Sequence, residues 1–311
     1  SAASDVYKRQ RFPQPFFGGG EEVLRAPIVL DASGRAKVAV PTFSREDEPE
    51  QSWDYTVEAR VTDASRREET GRVAVGVGAQ ELYAFLAPHR HVVAPQDEAE
   101  LTLRVEDLQG RGAVHAGTWT VERYEGRRDR EASSGRKIQE GGEELWTALF
   151  ERAVSTGEDG TARLAFTPGR PGQYRVRYES LDDRGHPMEA ETVVWAADPK
   201  TTTLVQGSGA VRLIAEQESF LGEEARVLLV TDRPGLSVHL STAFAWTLQT
   251  EVLHLKGTAR LLTIPLSDLH RPRFELRAVV AVDHRFEPAT LFVDAPLAER
   301  ALDLSVRTEE A

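Results

Sequence analysis

Clusters of aspartate and glycine are the first places in this sequence where side chains could do chemistry, because carboxylate oxygens gathered in a loop can coordinate calcium. Such clusters occur at Asp31–Gly34, Asp159–Gly160 and Asp182–Gly185. A calcium loop places its carboxylates at fixed alternating positions and ends in a glutamate, and these clusters lack that spacing. Aspartate and glycine also favour tight turns, so each cluster predicts a turn between two strands.

Histidines and hydroxyls offer the next chemistry. His89 and His91 would share one face of a strand, as two metal ligands could, but no third ligand is recognisable near them, which favours an exposed strand edge. The sequence contains neither a Gly-x-Ser-x-Gly elbow nor a His-Glu-x-x-His motif, and no lysine with serine or threonine follows Gly18–Gly20 to make a phosphate loop. The sequence does not exclude a catalytic triad assembled from residues that are distant along the chain. We nevertheless predict no catalytic, cofactor-binding or metal-ligating residue, and no enzyme activity.

A charged insertion and the tryptophans could serve recognition. Residues 125–144 interleave arginines with carboxylates and carry almost no apolar side chain, so they predict a mobile loop, either simply solvated or accessible to trypsin-like proteases. Tryptophans can stack on sugars, but their scatter along this chain is more typical of core anchors. The five tryptophans are Trp53, Trp119, Trp146, Trp195 and Trp246.

The elements that must position these residues repeat along the chain. Gly160–Pro168 and Gly172–Tyr178 are short runs of strand-forming residues bounded by glycine, proline and aspartate, which is typical of strand, turn and strand. The pattern occurs three times, and each copy has an aromatic residue eight or nine positions before a turn aspartate. These pairs are Tyr55 with Asp63, Tyr174 with Asp182, and Phe274 with Asp283. A repeat at roughly 100-residue spacing is typical of small β-sandwich modules.

The repeat predicts an all-β chain of tandem immunoglobulin-like or fibronectin-III-like β-sandwiches. We expect a partial sandwich at 11–80, a sandwich at 81–198 that contains the insertion 125–144, and a sandwich at 199–300. Residues 1–10 look like a translated sequencing adapter, and 301–311 look like the start of a following module.

Several finer expectations accompany these boundaries. In the partial sandwich we expect strands at 21–30, 36–41, 54–62 and 72–77. Residues 145–154 fit a helix or a strand equally well, because periodicity cannot decide for so short an apolar run. Residues 198–203 resemble a linker between modules.

Composition narrows the possible partners of the 311-residue chain. Its formal net charge of −12 disfavours nucleic acid and anionic membrane surfaces, since both need a clustered cationic face. It has no cysteine, which excludes disulfides, thiolate metal sites and thiol nucleophiles within it. The sequence shows neither a membrane-spanning apolar run nor a signal peptide, so any leader or membrane anchor is expected in a missing segment upstream of Ser1.

Several of these strings resemble the macroglobulin-like modules of the bacterial alpha-2-macroglobulin family. The most specific is Thr62–Arg67, which follows the alternating Val57, Ala59 and Val61. Asp159–Ala162, followed by Pro168 and Tyr174, fits the same pattern. Ser219–Ala225 is similar to the start of another such strand, with Leu221 where proline is common. The resemblance covers about residues 20–306.

The resemblance implies a fragment of a cell-envelope protein, periplasmic or extracellular, that inhibits endopeptidases broadly by trapping them. In that family, cleavage of a bait segment triggers a rearrangement, and a thioester in a Cys-Gly-Glu-Gln context captures the protease. The chain has no cysteine, and its Glu216-Gln217 lies in a strand pattern, so it contains no thioester. This absence fits a fragment whose thioester lies downstream, and it fits a thioester-free member of the family equally well. The bait segment is expected beyond residue 311. The implied partners are proteases, through the full-length protein, and neighbouring modules. No cofactor is implied.

Two other functions are compatible with an array of sandwiches. The chain could be a stalk of immunoglobulin-like repeats in a surface adhesin or carbohydrate-binding protein, which aligned exposed tryptophans would favour. It could also be an accessory array of a cell-wall hydrolase. A matched contact surface between modules would favour the macroglobulin interpretation.

Overall fold

The computed structural model describes residues 22–42, 53–62, 65–78, 80–128, 143–207, 209–244 and 247–296. Within these ranges the chain is all-β, as predicted, and its single helical element is a short 3-10 turn at Asp268–His270. No helix in the described part is long and apolar enough to span a membrane. The strands are β1 (Trp53–Thr62), β2 (Glu68–Val77), β3 (Tyr83–Pro88), β4 (Val92–Val93), β5 (Ala99–Glu106), β6 (Ala116–Arg128), β7 (Glu143–Ser155), β8 (Thr161–Phe166), β9 (Gly172–Leu181), β10 (Pro187–Ala196), β11 (Val211–Ala215), β12 (Glu224–Thr231), β13 (Ser237–Phe244), β14 (Thr247–His254), β15 (Ala259–Pro265), β16 (Arg273–Val282) and β17 (Arg285–Asp294).

Strands β3 to β10 form what we call the central sandwich. One sheet has the order β4-β10-β9-β6-β7 and the other the order β3-β5-β8. Strand β5 shows why these sequences form strands: Leu101, Leu103 and Val105 are fully buried, while Thr102 and Arg104 between them face outward. This period of two matches one face on the core and one toward solvent.

The repeated aromatic residue has a structural role in the central sandwich. The ring of Tyr174 is fully buried in the core, and its hydroxyl donates to the carbonyl oxygens of Pro168 at 2.9 Å and Arg170 at 2.8 Å. A tyrosine that bonds back to the preceding loop is typical of immunoglobulin-like sandwiches. In the next copy Phe274 is buried at the start of β16 but has no hydroxyl with which to do the same.

Strands β11 to β17 form the C-terminal sandwich. Its sheets have the orders β11-β12-β15 and β14-β13-β16-β17. Alternate residues of β16, among them Leu276, Ala278 and Val280, are fully buried in its core. Asp283 and His284, with φ of 50° and 64°, form the two-residue turn between β16 and β17. Hairpins favour such turns because their twist matches that of the strands.

Strands β1 and β2 pair only with each other and form what we call the N-terminal ribbon. The strands predicted at 21–30 and 36–41 are not formed in the described parts of these segments, which run without strand pairing on both sides of a turn at 32–34. The physical reason is that a strand needs a hydrogen-bonded neighbour, and residues 22–42 have no strand partner among the residues that the structure describes.

The segment 145–154, which fitted a helix or a strand, is strand: it belongs to β7, paired with β6. Both strands enter the insertion predicted at 125–144, because β6 ends at Arg128 and β7 begins at Glu143. Residues 129–142 lie outside the described residues, as do 1–10, 301–311, Asp63 and Trp246.

Candidate functional site: the junction between the sandwiches

The central and C-terminal sandwiches share a third apolar core, which we call the junction core. It forms where one strand of each sandwich, β10 and β12, is buried on both of its faces. In β12, Val227 and Leu229 point into the C-terminal sandwich, whereas Leu228 and Val230 point out of it and are equally buried. An apolar run without alternation is the expected pattern for a strand covered on both sides. The junction core consists of Val92, Trp195, Ala197, Leu204, Leu228, Val230 and Ala259, each at most 5% exposed.

Strand β10 supplies the matching surface from the central sandwich. Val194 points into the core of its own sandwich, and the next residue, Trp195, points into the junction core. The backbone N–H of Trp195 donates to the carbonyl of His91 at 2.8 Å, which fixes the strand beside Val92. The indole is 4% exposed, and its large apolar surface lies in the same cluster as Leu228, Val230 and Ala259 of the C-terminal sandwich.

The segment predicted as a linker, residues 198–203, is integrated in the junction. The backbone N–H groups of Thr258 and Ala259 donate to the carbonyl of Thr202 at 2.8 and 3.0 Å. The Thr258 hydroxyl donates to the carbonyl of Leu204 at 2.6 Å and accepts from its N–H at 2.8 Å. These bonds satisfy buried backbone groups across more than 50 positions of sequence, so the connection is held to the C-terminal sandwich.

Gly257 shows how closely the two segments approach. A Cβ atom at this position would collide with the carbonyl oxygen of Thr202. Only glycine therefore permits the hydrogen bonds of Thr258 and Ala259 with Thr202. Gly222, in contrast, has open space where its Cβ would be.

Besides the connecting segment at 198–204, a second line of contacts, or seam, joins the loop before β4 to the loop after β11. The backbone N–H groups of His91 and Val92 donate to the carbonyl of Glu216 at 2.6 and 3.4 Å, and Arg90 pairs with the Glu216 carboxylate at 3.6 Å. Burial lowers the pKa of His91, and the carboxylate of Glu218 partly opposes this shift. His91 is thus held as a neutral imidazole within the seam at neutral pH.

A third seam lies where β6 and β7 extend beyond the rest of their sheet. Their ends present Tyr124, whose ring packs edge-on against Trp146 at 5.0 Å between centroids. The guanidinium of Arg175 lies 4.2 Å from the centroid of Trp146 and pairs with Glu122 at 2.6 Å. Cation and aromatic ring therefore stiffen the base of this extension.

The same extension contacts the C-terminal sandwich through its charges. Burial lowers the pKa of Arg212, on β11, and the carboxylate of Glu144 and the phenol of Tyr124 counteract the shift. A Cβ at Gly207 would come within 2.9 Å of a Glu144 oxygen and 3.4 Å of the Tyr124 hydroxyl. The end of the extension thus brings the polar groups of Glu144 and Tyr124 close to Arg212 and Gly207, beside the apolar core.

The residues singled out from sequence for chemistry are dispersed. His89 contacts the hydroxyl of Thr102 at 3.0 Å and the carboxylate of Glu100 at 3.5 Å, whereas His91 belongs to the junction. No group of three or more potential metal-ligating side chains occurs among the residues that the structure describes. The aspartates of the three clusters act in turns: Asp31, Asp159 and Asp182 each accept backbone N–H bonds two residues downstream.

The tryptophans likewise lie in different environments. Trp119 and Trp195 are each 4% exposed, the former in the core of the central sandwich and the latter in the junction core. Trp53 and Trp146 are half-buried. The core-anchor interpretation is confirmed for Trp119 and Trp195.

Sequence reasoning missed the junction itself. Leu228, Gly257, Thr258 and Arg212 gave no individual signal. A collective signal was present, because Val227–Val230 and Val193–Ala196 are unbroken apolar runs in a chain whose other strands mostly alternate. Such runs indicate strands with a second surface to cover.

Comparison with known proteins finds distant structural similarities. No family model and no curated protein matches the sequence. Among solved structures, the chain is similar to the native form of Escherichia coli alpha-2-macroglobulin, with 17% identity, a TM-score of 0.34 and coverage of 91% of this chain and 19% of that one. It is also similar to Salmonella alpha-2-macroglobulin reacted with methylamine, with 15% identity, a TM-score of 0.32 and coverage of 86% and 18%.

A bacterial ice-binding adhesin involved in host cell surface retention is another similar structure, with 11% identity, a TM-score of 0.21 and coverage of 69% of this chain and 65% of that one. The chain spans about a fifth of the length of the two alpha-2-macroglobulins. At such low identity and TM-score, function rests on the chain's own residues.

Proposed function

We propose that this chain is a scaffold part of a bacterial alpha-2-macroglobulin-like endopeptidase inhibitor. Its work is mechanical: it holds modules in a fixed arrangement while other parts of the protein present the bait and capture the protease. It needs no catalytic side chain and no cofactor. The proteases would be partners of the full-length protein, and the direct partners of these residues would be neighbouring modules.

The junction core is the observation that carries this proposal. A frame that stores a metastable arrangement must resist bending between its modules, and flexible connections would release the strain. Here Leu228 and Trp195 bury an apolar surface between the sandwiches, and Thr258 fastens the connecting segment to one of them. Modules joined only by a linker would move freely by default, so this matched surface supports a rigid frame.

The tryptophans support the same proposal against sugar binding. A carbohydrate-binding stalk needs aromatic faces open to solvent and aligned from module to module. Trp119 and Trp195 are buried, and Trp146 is covered on one face by Arg175. Trp119 and Trp195 therefore present no open platform of the kind that sugar stacking requires, and Trp146 offers at most one face.

An adhesive stalk is the second candidate, and the junction also gives it some support. A stalk needs sandwiches joined firmly end to end, and a shared core provides such a joint. The all-β array fits either function, so the difference lies in what the full-length protein does to a protease. For both functions we propose a periplasmic or extracellular, cell-envelope location.

The test is a trapping assay on the full-length protein that contains this chain. A trapped protease keeps its active site but is shielded from large substrates. After incubation with stoichiometric trypsin, we expect cleavage of casein to fall at least about tenfold, while cleavage of a small chromogenic peptide is kept. If trypsin still cleaves casein as well as the small peptide at full rate, the inhibitor proposal is refuted and the stalk is favoured.

A matched pair of variants connects trapping to these residues. Leu228→Asp puts a charge into the junction core, whereas Phe286→Asp changes a side chain that is 80% exposed on β17. We expect the first variant to reduce trapping and the second to leave it unchanged. Equal trapping by both variants would mean that a rigid junction is not needed.

A further inference from the structure

The N-terminal ribbon has one apolar and one polar face. Paired residues place Val57 beside Val73 and Tyr55 beside Val75 on one face, and Val57, Val73 and Val75 are 39%, 56% and 47% exposed. On the other face Glu58 pairs with Arg60 and with Arg72. A two-stranded ribbon in water is at best marginally stable, and an amphipathic one is stable only when its apolar face is covered.

The segment before the ribbon contains a turn of the kind that closes a hairpin elsewhere in the chain. The Asp31 N–H donates to the Arg35 carbonyl at 2.8 Å, and the Asp31 carboxylate accepts the N–H groups of Ser33 and Arg35 at 2.8 and 3.0 Å. The turn between β9 and β10 has the same bonds: Asp182 N–H to His186 carbonyl at 2.9 Å, and carboxylate bonds from residues two and four positions downstream. The 31–35 turn therefore has the geometry to join two antiparallel strands.

The register of that second turn predicts how the flanking residues would pair. Because Leu181 lies opposite Pro187 beside the Asp182 turn, Leu30 would lie opposite Ala36, and Ile28 opposite Val38. In this register one face of the hairpin is entirely apolar. That face consists of Leu24, Ala26, Ile28, Leu30, Ala36, Val38 and Val40.

We propose that residues 24–40 fold as a hairpin about the Asp31 turn and dock on the apolar face of the N-terminal ribbon. Leu24, Ile28, Leu30 and Val38 are 44–50% exposed in the structure, so both surfaces have apolar area to bury. Two ribbons that each have one apolar face are the two halves of a β-sandwich, whose sheets pack about 10 Å apart. The hairpin and the ribbon thus form the core of a first module.

The connection between the two ribbons is long enough. Eleven residue steps lead from Thr42 to Trp53, and an extended chain of that length spans about 36 Å. The connection can therefore cross from one sheet to the other and still leave the ends of the hairpin free to align with β1. The occupant is part of the same chain, which makes docking independent of protein concentration.

The chain has no cysteine, so single engineered thiols report this docking cleanly. Val57→Cys places a thiol on the apolar face, and Thr56→Cys, the control, places one on the polar face of the same strand. In the 311-residue chain under native conditions, we expect a maleimide dye to label Val57→Cys about tenfold or more slowly than Thr56→Cys. Equal labelling rates would overturn the proposal.

A second substitution identifies the occupant. Adding Ile28→Asp, on the apolar face of the hairpin, should restore fast labelling of Val57→Cys, whereas Val29→Asp on the opposite face should not. Protection that increases with protein concentration would assign the surface to a second copy, and protection unaffected by Ile28→Asp would assign it to another segment. Either result would overturn the proposal. No protease is involved, so the outcome is independent of the trapping assay.

Discussion

Replacing Leu228 by alanine tests whether the junction core joins the two sandwiches energetically. Leu228 is fully buried and faces the junction core, while its neighbour Leu229 is fully buried and faces the core of the C-terminal sandwich. Truncating a buried leucine to alanine costs about 2–5 kcal/mol, made up of lost transfer free energy and the cavity left behind. We expect Leu228→Ala and Leu229→Ala each to lower the free energy of unfolding within this range. The first substitution leaves a cavity in the junction core, and the second leaves one in the core of the C-terminal sandwich.

A double-mutant cycle with Trp195→Ala distinguishes the two cavities. Leu228 and Trp195 belong to one cluster, so the two truncations enlarge the same cavity, and their effects should differ from the sum by about 1 kcal/mol or more. Leu229 belongs to a different cluster, so its effect should add to that of Trp195→Ala within about 0.5 kcal/mol.

The measurement is urea unfolding followed by far-ultraviolet circular dichroism, which does not depend on the deleted indole. Unchanged m-values would show that each variant alters stability rather than the extent of unfolding. Additive effects of Leu228→Ala and Trp195→Ala would refute the shared core. Strong coupling of Leu229→Ala to Trp195→Ala would refute the division between the two cores.

Two further predictions concern a backbone contact and a carboxylate. Gly257→Ala should lower the free energy of unfolding by about 1–3 kcal/mol, because its Cβ meets the Thr202 carbonyl, while Gly222→Ala, with open space, should change little in the same urea titration. Burial alone would raise the pKa of Asp182, but the N–H groups of His186, Glu81 and Arg184 hold it well below its usual range. Its stabilisation is therefore complete above the unfolded-state pKa and is lost as pH falls toward the folded value. The difference in Tm between the native protein and Asp182→Asn should be large at pH 7 and shrink toward pH 2; a difference independent of pH would contradict this linkage.

The sequence by itself determined many of the strands and several of their turns, although not the strands expected at 21–30 and 36–41 or the type of element at 145–154. Alternation in β5 predicts that Leu101, Leu103 and Val105 are buried, because a strand has a period of two whatever its partner; Glu106, which the pattern places on the outward face, is nevertheless buried. Asp159 and Asp182 predict turns because their carboxylates bond to backbone N–H groups only two to four residues away. Such local interactions can be read from a short stretch of residues.

The spacing between the repeated aromatic residue and the turn aspartate shows what local sequence does not predict, namely the type of turn. Asp182 follows Tyr174 by eight positions and bonds to its own turn, whereas Asp283 follows Phe274 by nine and lies in a two-residue turn with positive φ. The repeat predicts a turn in both places. The turn type depends on the register in which β16 pairs with β17.

Only the tertiary structure decided what the strands pack against. Leu228 and Leu229 lie in an unbroken apolar run, which indicates a strand with two surfaces to cover, but the run does not say that a neighbouring sandwich covers Leu228. Residues 198–203 have the composition of a linker, and they are fixed because Thr258, more than 50 residues later, lies beside them. The segment 145–154 is a strand because β6 offers it a partner. Contacts between residues so distant in sequence depend on the packing of whole sheets, which local propensity does not encode.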